Sequence, residues 1–147
     1  MACLATPEIR TGTLEEAFTV YRQLPEFYDN LSLDGIRERA GQHHICLVAE
    51  LDGAIAGFKL GYPRDPGEFY SWIGGVLPRF RRSGLAQRLL ECQEQFVRER
   101  GYAVLRVKSM NRFPGMLHLL IANGYQVEAV TPAEDPAFTK VHFAKSL

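Results

Sequence analysis

The run HICLVAELDGAIAGFKLGY, residues 44–62, constrains the fold more than any other stretch. Two segments rich in β-branched and aromatic residues flank Asp52-Gly53, a dipeptide that accepts the positive φ angles of a two-residue type I′ turn. The chain must double back there into an antiparallel hairpin. The loop PRDPG, residues 63–67, then leads to another strand, EFYSWIGGV, residues 68–76. Three strands joined by short connections make a meander. Gly74 and Gly75 predict a bulge, or a place where something comes close to the backbone.

Helical signals surround this meander. A first short strand is expected over residues 4–10, followed by TLEEAFTVYRQL, where Thr13 and Glu16 have capping-box spacing. Leu14, Ala17, Phe18, Tyr21 and Leu24 recur at helical intervals, and Pro25 ends the helix. A second short helix is expected near residues 33–40. After the meander, Leu85, Leu89, Cys92 and Phe96 share one face of a helix that runs to about Arg100, with Gly101 as its C-cap. AVLRVKSM (residues 103–110) reads as a strand. PGMLHLLIAN (residues 114–123) reads as a helix with Pro114 in its first turn and Gly124 just beyond its end. YQVEAV and FTKVHFA complete the chain as two strands, and the closing FTKVHFAKSL offers an edge for a homodimer. The order β-α-α-β-β-β-α-β-α-β-β implies one α+β domain over residues 1–147, with a largely antiparallel sheet and helices on both faces.

Lysine plus arginine and aspartate plus glutamate both number 17, so the chain carries no overall basic field for a nucleic-acid backbone. Any anion binding must be local. Cys3, Cys46 and Cys92 form no C-x-x-C pair, which argues against a disulfide framework and a zinc site and for a reducing compartment. His43 and His44 lack spaced ligand partners, so no metal is expected. Residues 1–12 do not have the charged-then-apolar pattern of a signal peptide, and no apolar run reaches the ~18 residues of a membrane span. A cytoplasmic protein with no membrane partner is the expectation.

The local anion site is VLPRFRRSGLAQRLL, residues 76–90, where Arg79, Arg81 and Arg82 stand between a strand and a helix. A helix N-terminus has open N–H groups and partial positive charge, which suit phosphate. Neither G-x-x-x-x-G-K-[ST] nor G-x-G-x-x-G is present. The run instead resembles the acyl-CoA-binding motif of the GNAT superfamily of N-acetyltransferases, [QR]-x-x-G-x-[GA], read as Arg81, Gly84 and Ala86. Val76, Pro78 and Phe80 match the V-x-P and aromatic that commonly precede it, and Leu89 and Leu90 match its aliphatic positions. Arg79 lies outside the matched positions and reads as solvent-facing. The similarity extends over nearly the whole chain and implies a three-layer α/β/α fold. Its mixed, largely antiparallel sheet would splay apart between strands 4 and 5.

The resemblance also implies roles. Residues 81–86 (Arg81, Arg82, Ser83, Gly84, Leu85 and Ala86) would bind the pyrophosphate of acetyl-CoA. The main chain of Val76 would hold the pantetheine arm and polarise the acyl carbonyl, and Asn111 would add a polar contact. Glu68, the carboxylate on the fourth strand, is either the base that accepts the amine's proton or a strand-start residue. The family's tyrosine acid falls on His118 when counted from Asn111 and on Leu120 when counted from Gly124-Tyr125. The segment PEFYDN would wall the acceptor site with Glu26, Phe27 and Tyr28, or form a wet loop. The implied reaction is acetyl transfer from acetyl-CoA to a primary amine of a small molecule, amino acid or peptide. The alternatives are a different acyl group on the same fold, or a CoA-binding regulatory module without turnover.

Overall fold

The hairpin and the helices assemble as their patterns require. A computed structural model describes residues 7–27 and 30–147 of the chain. The elements are β1 (Glu8–Thr11), α1 (Leu14–Tyr21), α2 (Leu33–Ala40), β2 (Ile45–Leu51), β3 (Ala54–Asp65), β4 (Glu68–Val76), α3 (Leu85–Glu99), β5 (Val104–Met110), α4 (Pro114–Ala122), β6 (Gln126–Thr131) and β7 (Lys140–Ser146). Asp52 and Gly53 both have positive φ (54° and 76°), as a type I′ turn requires. Thr13 Oγ1 accepts the Glu16 N–H at 3.1 Å while the Glu16 carboxylate accepts the Thr13 N–H at 2.9 Å, so the capping box forms. The helix ends at Tyr21, short of Leu24, and Pro25 opens a 3-10 turn instead.

The strands form one sheet in the order β1-β2-β3-β4-β5-β7-β6. β4 and β5 are parallel and all other neighbours antiparallel. The β4–β5 pairing covers only Glu68↔Val104 through Ser71↔Val107. Beyond Ser71 the two strands part, and this splay is the opening on which the site is built. Buried side chains gather on both faces of the sheet. Leu85, Leu89, Leu90 and Val97 of α3 pack with Phe69, Leu105 and Phe143 on one face. Val20 and Tyr21 of α1 and Ile36 of α2 pack with Val48, Phe58 and Leu60 on the other. Each such side chain contributes about 1.5–3 kcal/mol. The result is the three-layer α+β fold.

Several local expectations are corrected. The expected first strand begins only at Glu8, and its residues 4–6 lie outside the described residues. Pro63 sits inside β3 and not in a loop, since β3 continues to Asp65. The pairing of β3 with β2 stops at Gly61↔Ile45, so Pro63 lies where that side of the strand has no ladder to break. The bulge in β4 falls between Ser71 and Ile73, not at the glycine pair, because Leu60 faces Ile73 and Gly61 faces Ser71. The glycines serve packing: a Cβ on Gly75 would lie 2.6 Å from Leu24 Cδ1, and one on Gly74 would lie 2.8 Å from the Phe58 carbonyl oxygen. The final strand is no edge. β7 lies between β5 and β6, and the edge strands are β1 and β6.

Candidate active site

A cleft of about 700 Å³ occupies the splay. Its walls include Gly74, Gly75 and Val76 of β4, Val107, Lys108, Ser109 and Met110 of β5, Ala86 and Leu89 of α3, and Gly115, Met116 and Leu119 of α4. The register of β3 and β4 decides which backbone groups open onto it. Leu77 N–H donates to the Ala56 carbonyl at 2.8 Å, and Val76 faces Gly57. In an antiparallel ladder adjacent residues alternate in direction, so the N–H and C=O of Val76, and those of Gly74, point away from β3. They face the side that β5 has left. The Val76 carbonyl accepts Arg81 Nε–H at 2.9 Å, leaving its N–H open to the cleft.

The hand-over from β4 to α3 is open in the same way. Arg82 and Gly84 are both left-handed, with φ of 62° and 80°, and turn the chain sharply into the helix. No side chain caps α3, so the amides of Leu85, Ala86 and Gln87 lack intrahelical acceptors. A Cβ at Gly84 would have nothing within 4 Å, so the space beside this turn is clear. Ser83 Oγ–H closes the turn onto the Phe80 carbonyl. The side chain of Leu85 is buried in the core, and only its amide serves the turn. The guanidinium of Arg81 is committed elsewhere, because Nη2–H donates to Glu26 Oε1 at 2.6 Å while Nε–H holds Val76. Arg81 thus staples the 3-10 turn Pro25–Phe27 to the end of β4. These open amides, together with Arg82 at the turn, fit a pyrophosphate, and the open Val76 N–H fits a carbonyl oxygen further inside.

Glu26 and Phe27 line the cleft, and Phe27 stacks on Tyr21 at 5.2 Å between centroids. Tyr28 lies outside the described residues. Glu68 is placed elsewhere. It stands at the paired end of β4, its oxygens held at 3.1 Å by Arg106 Nε and Nη2, and it does not line the cleft. Hydrogen bonding to Arg106 lowers its pKa, which weakens it as a base. Asn111 faces the loop before β7, donating from Nδ2 to the Pro136 carbonyl at 3.0 Å and from its backbone to Thr139 at 3.2 Å. His118 is exposed and outside the cleft, and Leu120 is fully buried in the core. The residues of α4 that reach the cleft are Gly115, Met116 and Leu119, none of which carries an acid.

Lys59 is the least expected lining residue. It is 7% exposed, and it lies on the α3 face of β3 with Gly57 and Gly61, whose Cβ positions approach Leu89 and Gln93. Burial pushes its pKa down to about 8, against a smaller opposing pull from Glu94. Glu94 itself is held by Lys145 Nζ at 2.7 Å. A lysine inside the run AIAGFKLGY was a visible signal, since a charged residue amid buried strand positions is rare without a reason.

The profile of the acetyltransferase (GNAT) family matches residues 9–118. The chain belongs to that family. No curated protein sequence matches it significantly. Among solved structures it is similar to the ribosomal-protein-S18-alanine N-acetyltransferase of Escherichia coli, with a TM-score of 0.82, 18% identity, and 96% of this chain and 94% of that chain covered. It is equally similar to Ard1 from Thermoplasma volcanium, with a TM-score of 0.82, 18% identity and coverage of 96% and 97%. It is also similar to the IAA acetyltransferase from Bacillus cereus, with a TM-score of 0.77, 16% identity and coverage of 97% and 100%. At these identities the likeness is one of fold.

Proposed function

We propose that this protein is an N-acetyltransferase that moves an acetyl group from acetyl-CoA to a primary amine of a small molecule, amino acid or peptide. The observation that carries the reading is the open Val76 N–H inside the splay, with the uncapped N-terminus of α3 at its mouth. When bound, acetyl-CoA supplies an activated thioester. The amides of Leu85, Ala86 and Gln87 take its pyrophosphate, and Val76 N–H stabilises negative charge as it develops on the carbonyl oxygen.

The amine must shed a proton before or during attack. Glu26 is the carboxylate that lines the cleft among the described residues, and one of its oxygens remains outside the Arg81 pair. It accepts that proton, directly or through water, in place of Glu68. The departing sulfur needs no side-chain acid, because a thiolate is a good leaving group.

Thiol release from acetyl-CoA across a panel of amines tests the reading. Release should depend on the acceptor. Glu26→Gln should lower kcat by about a hundredfold with unchanged acetyl-CoA affinity, whereas Glu68→Gln should stay within about twofold of the parent. Acetyl-CoA binding without thiol release for any amine would support the regulatory module instead.

A further inference from the structure

The acceptor side of the cleft is cationic. On the face of the sheet opposite α3, Tyr62, Tyr70 and Trp72 form an aromatic floor, with Tyr62 edge-on to Tyr70 at 5.6 Å and to Trp72 at 5.8 Å. Arg39 of α2 lies over Trp72 at 4.3 Å and donates to the Tyr62 hydroxyl at 3.0 Å. Arg64 lies over Tyr70 at 4.7 Å and Lys108 at 5.6 Å from the same ring. Lys140 of β7 completes the rim, and Arg39, Lys108 and Lys140 all line the cleft. Among the described residues none of these four cations has a carboxylate within ion-pair distance. Two carboxylates of the sheet, Glu68 and Glu128, pair instead with Arg106. Glu26 is tied to Arg81. The cations also repel one another: burial first, then Arg64, Lys140 and Arg39, hold the pKa of Lys108 below the ordinary lysine value.

Mutual repulsion of this kind is relieved by an anion, and the geometry points to an acceptor amine that carries one. We infer that the preferred acceptor is a small aminocarboxylate, its carboxylate held among Arg39, Lys108 and Lys140 and its chain lying on Tyr70 and Trp72. The inference rests on the acetyltransferase reading and names its substrate class. The cationic rim has a second consequence. A positive surround disfavours the ammonium form of the incoming amine, which favours the nucleophilic form.

The test compares acceptors of matched length. These are β-alanine with a carboxylate, β-alaninamide with a neutral amide, 1,3-diaminopropane with a second ammonium, and O-phosphoethanolamine with a phosphate. Binding is read from the fluorescence of Trp72, the one tryptophan of the chain, in the presence of CoA, and turnover from thiol release. β-Alanine should bind and turn over about tenfold or more better than its amide, with the diamine poorest and the advantage shrinking as salt rises. Lys108→Gln, and separately the exposed Lys140→Gln, should raise KM for β-alanine severalfold more than for β-alaninamide, with the affinity for acetyl-CoA unchanged. Equal or better binding of the amide or the diamine overturns the inference. So does a clear preference for the phosphate, or a loss of acetyl-CoA affinity in Lys108→Gln, which would assign the cations to the cofactor. Thiol release that favours neutral or cationic amines defeats this inference alone. An absence of both acetyl-CoA binding and thiol release defeats the acetyltransferase reading, while the Trp72 titration still reports on the anion.

Discussion

Lys59 brings an ammonium into the wall of the cleft where water is scarce, and the cost shows in its stability linkage. A lysine whose folded pKa lies near 8, below its ordinary 10.5, binds fewer protons folded than unfolded between those values. The penalty is therefore full below pH 8 and is relieved as pH rises from about 8 through 10.5. The shift corresponds to something on the order of 3 kcal/mol. Lys59→Met should raise the denaturation midpoint at pH 7, and its advantage should fade in titrations carried above pH 8. A constant advantage across that range would show that the ammonium is well solvated in the parent. Glu68 gives the opposite lesson at this scale. Its place at the start of β4 was visible in the sequence, but the direction of the strand and the arginine opposite put it at the paired end, away from the cleft. Arg106 is on another strand, and no reading of local pattern reveals that pairing.

Helix α4 shows what an element makes legible and what it conceals. Pro114 at its first turn and Gly124 beyond its end located it correctly. Which face met the cleft could not be settled from the chain alone. Two counting anchors chose His118 and Leu120, while the residues that reach the cleft are Gly115, Met116 and Leu119. The helix is apolar over most of its surface, so no polar stripe marks its outward side. Leu120→Ala should cost about 2–5 kcal/mol because a fully buried side chain is removed. His118→Ala should change stability by less than about 0.5 kcal/mol and leave kcat unaltered, as read by chemical denaturation and thiol release. A catalytic loss in His118→Ala would restore it to the site. The Asp52-Gly53 turn and the Thr13–Glu16 capping box were fully legible for the converse reason: their chemistry is local, within a few residues. The insertion of β7 between β5 and β6 was not legible, because strand order depends on contacts across the sheet.

At the largest scale, the seven strands and four helices among the described residues are arranged so that the sheet holds together at one end of β4 and β5 and opens at the other. That opening places unpaired backbone at the centre of the fold, between β4 and β5 and away from the edge strands β1 and β6. The β4–α3 turn then sits at the mouth of the opening with its first-turn amides open. Gly84→Trp should leave the fold intact, at a backbone cost of about 1–2 kcal/mol for a side chain in the left-handed region, and should abolish acetyl-CoA binding by calorimetry. A variant that binds as the parent does would remove the turn from the site.

The most direct measurement of the central claim is amide hydrogen exchange with and without acetyl-CoA. The expected result is protection confined to Gly74, Val76 and residues 85–87, the backbone that the splay and the uncapped helix leave open. Protection elsewhere, or no change at Val76 and the first turn of α3, would contradict the account.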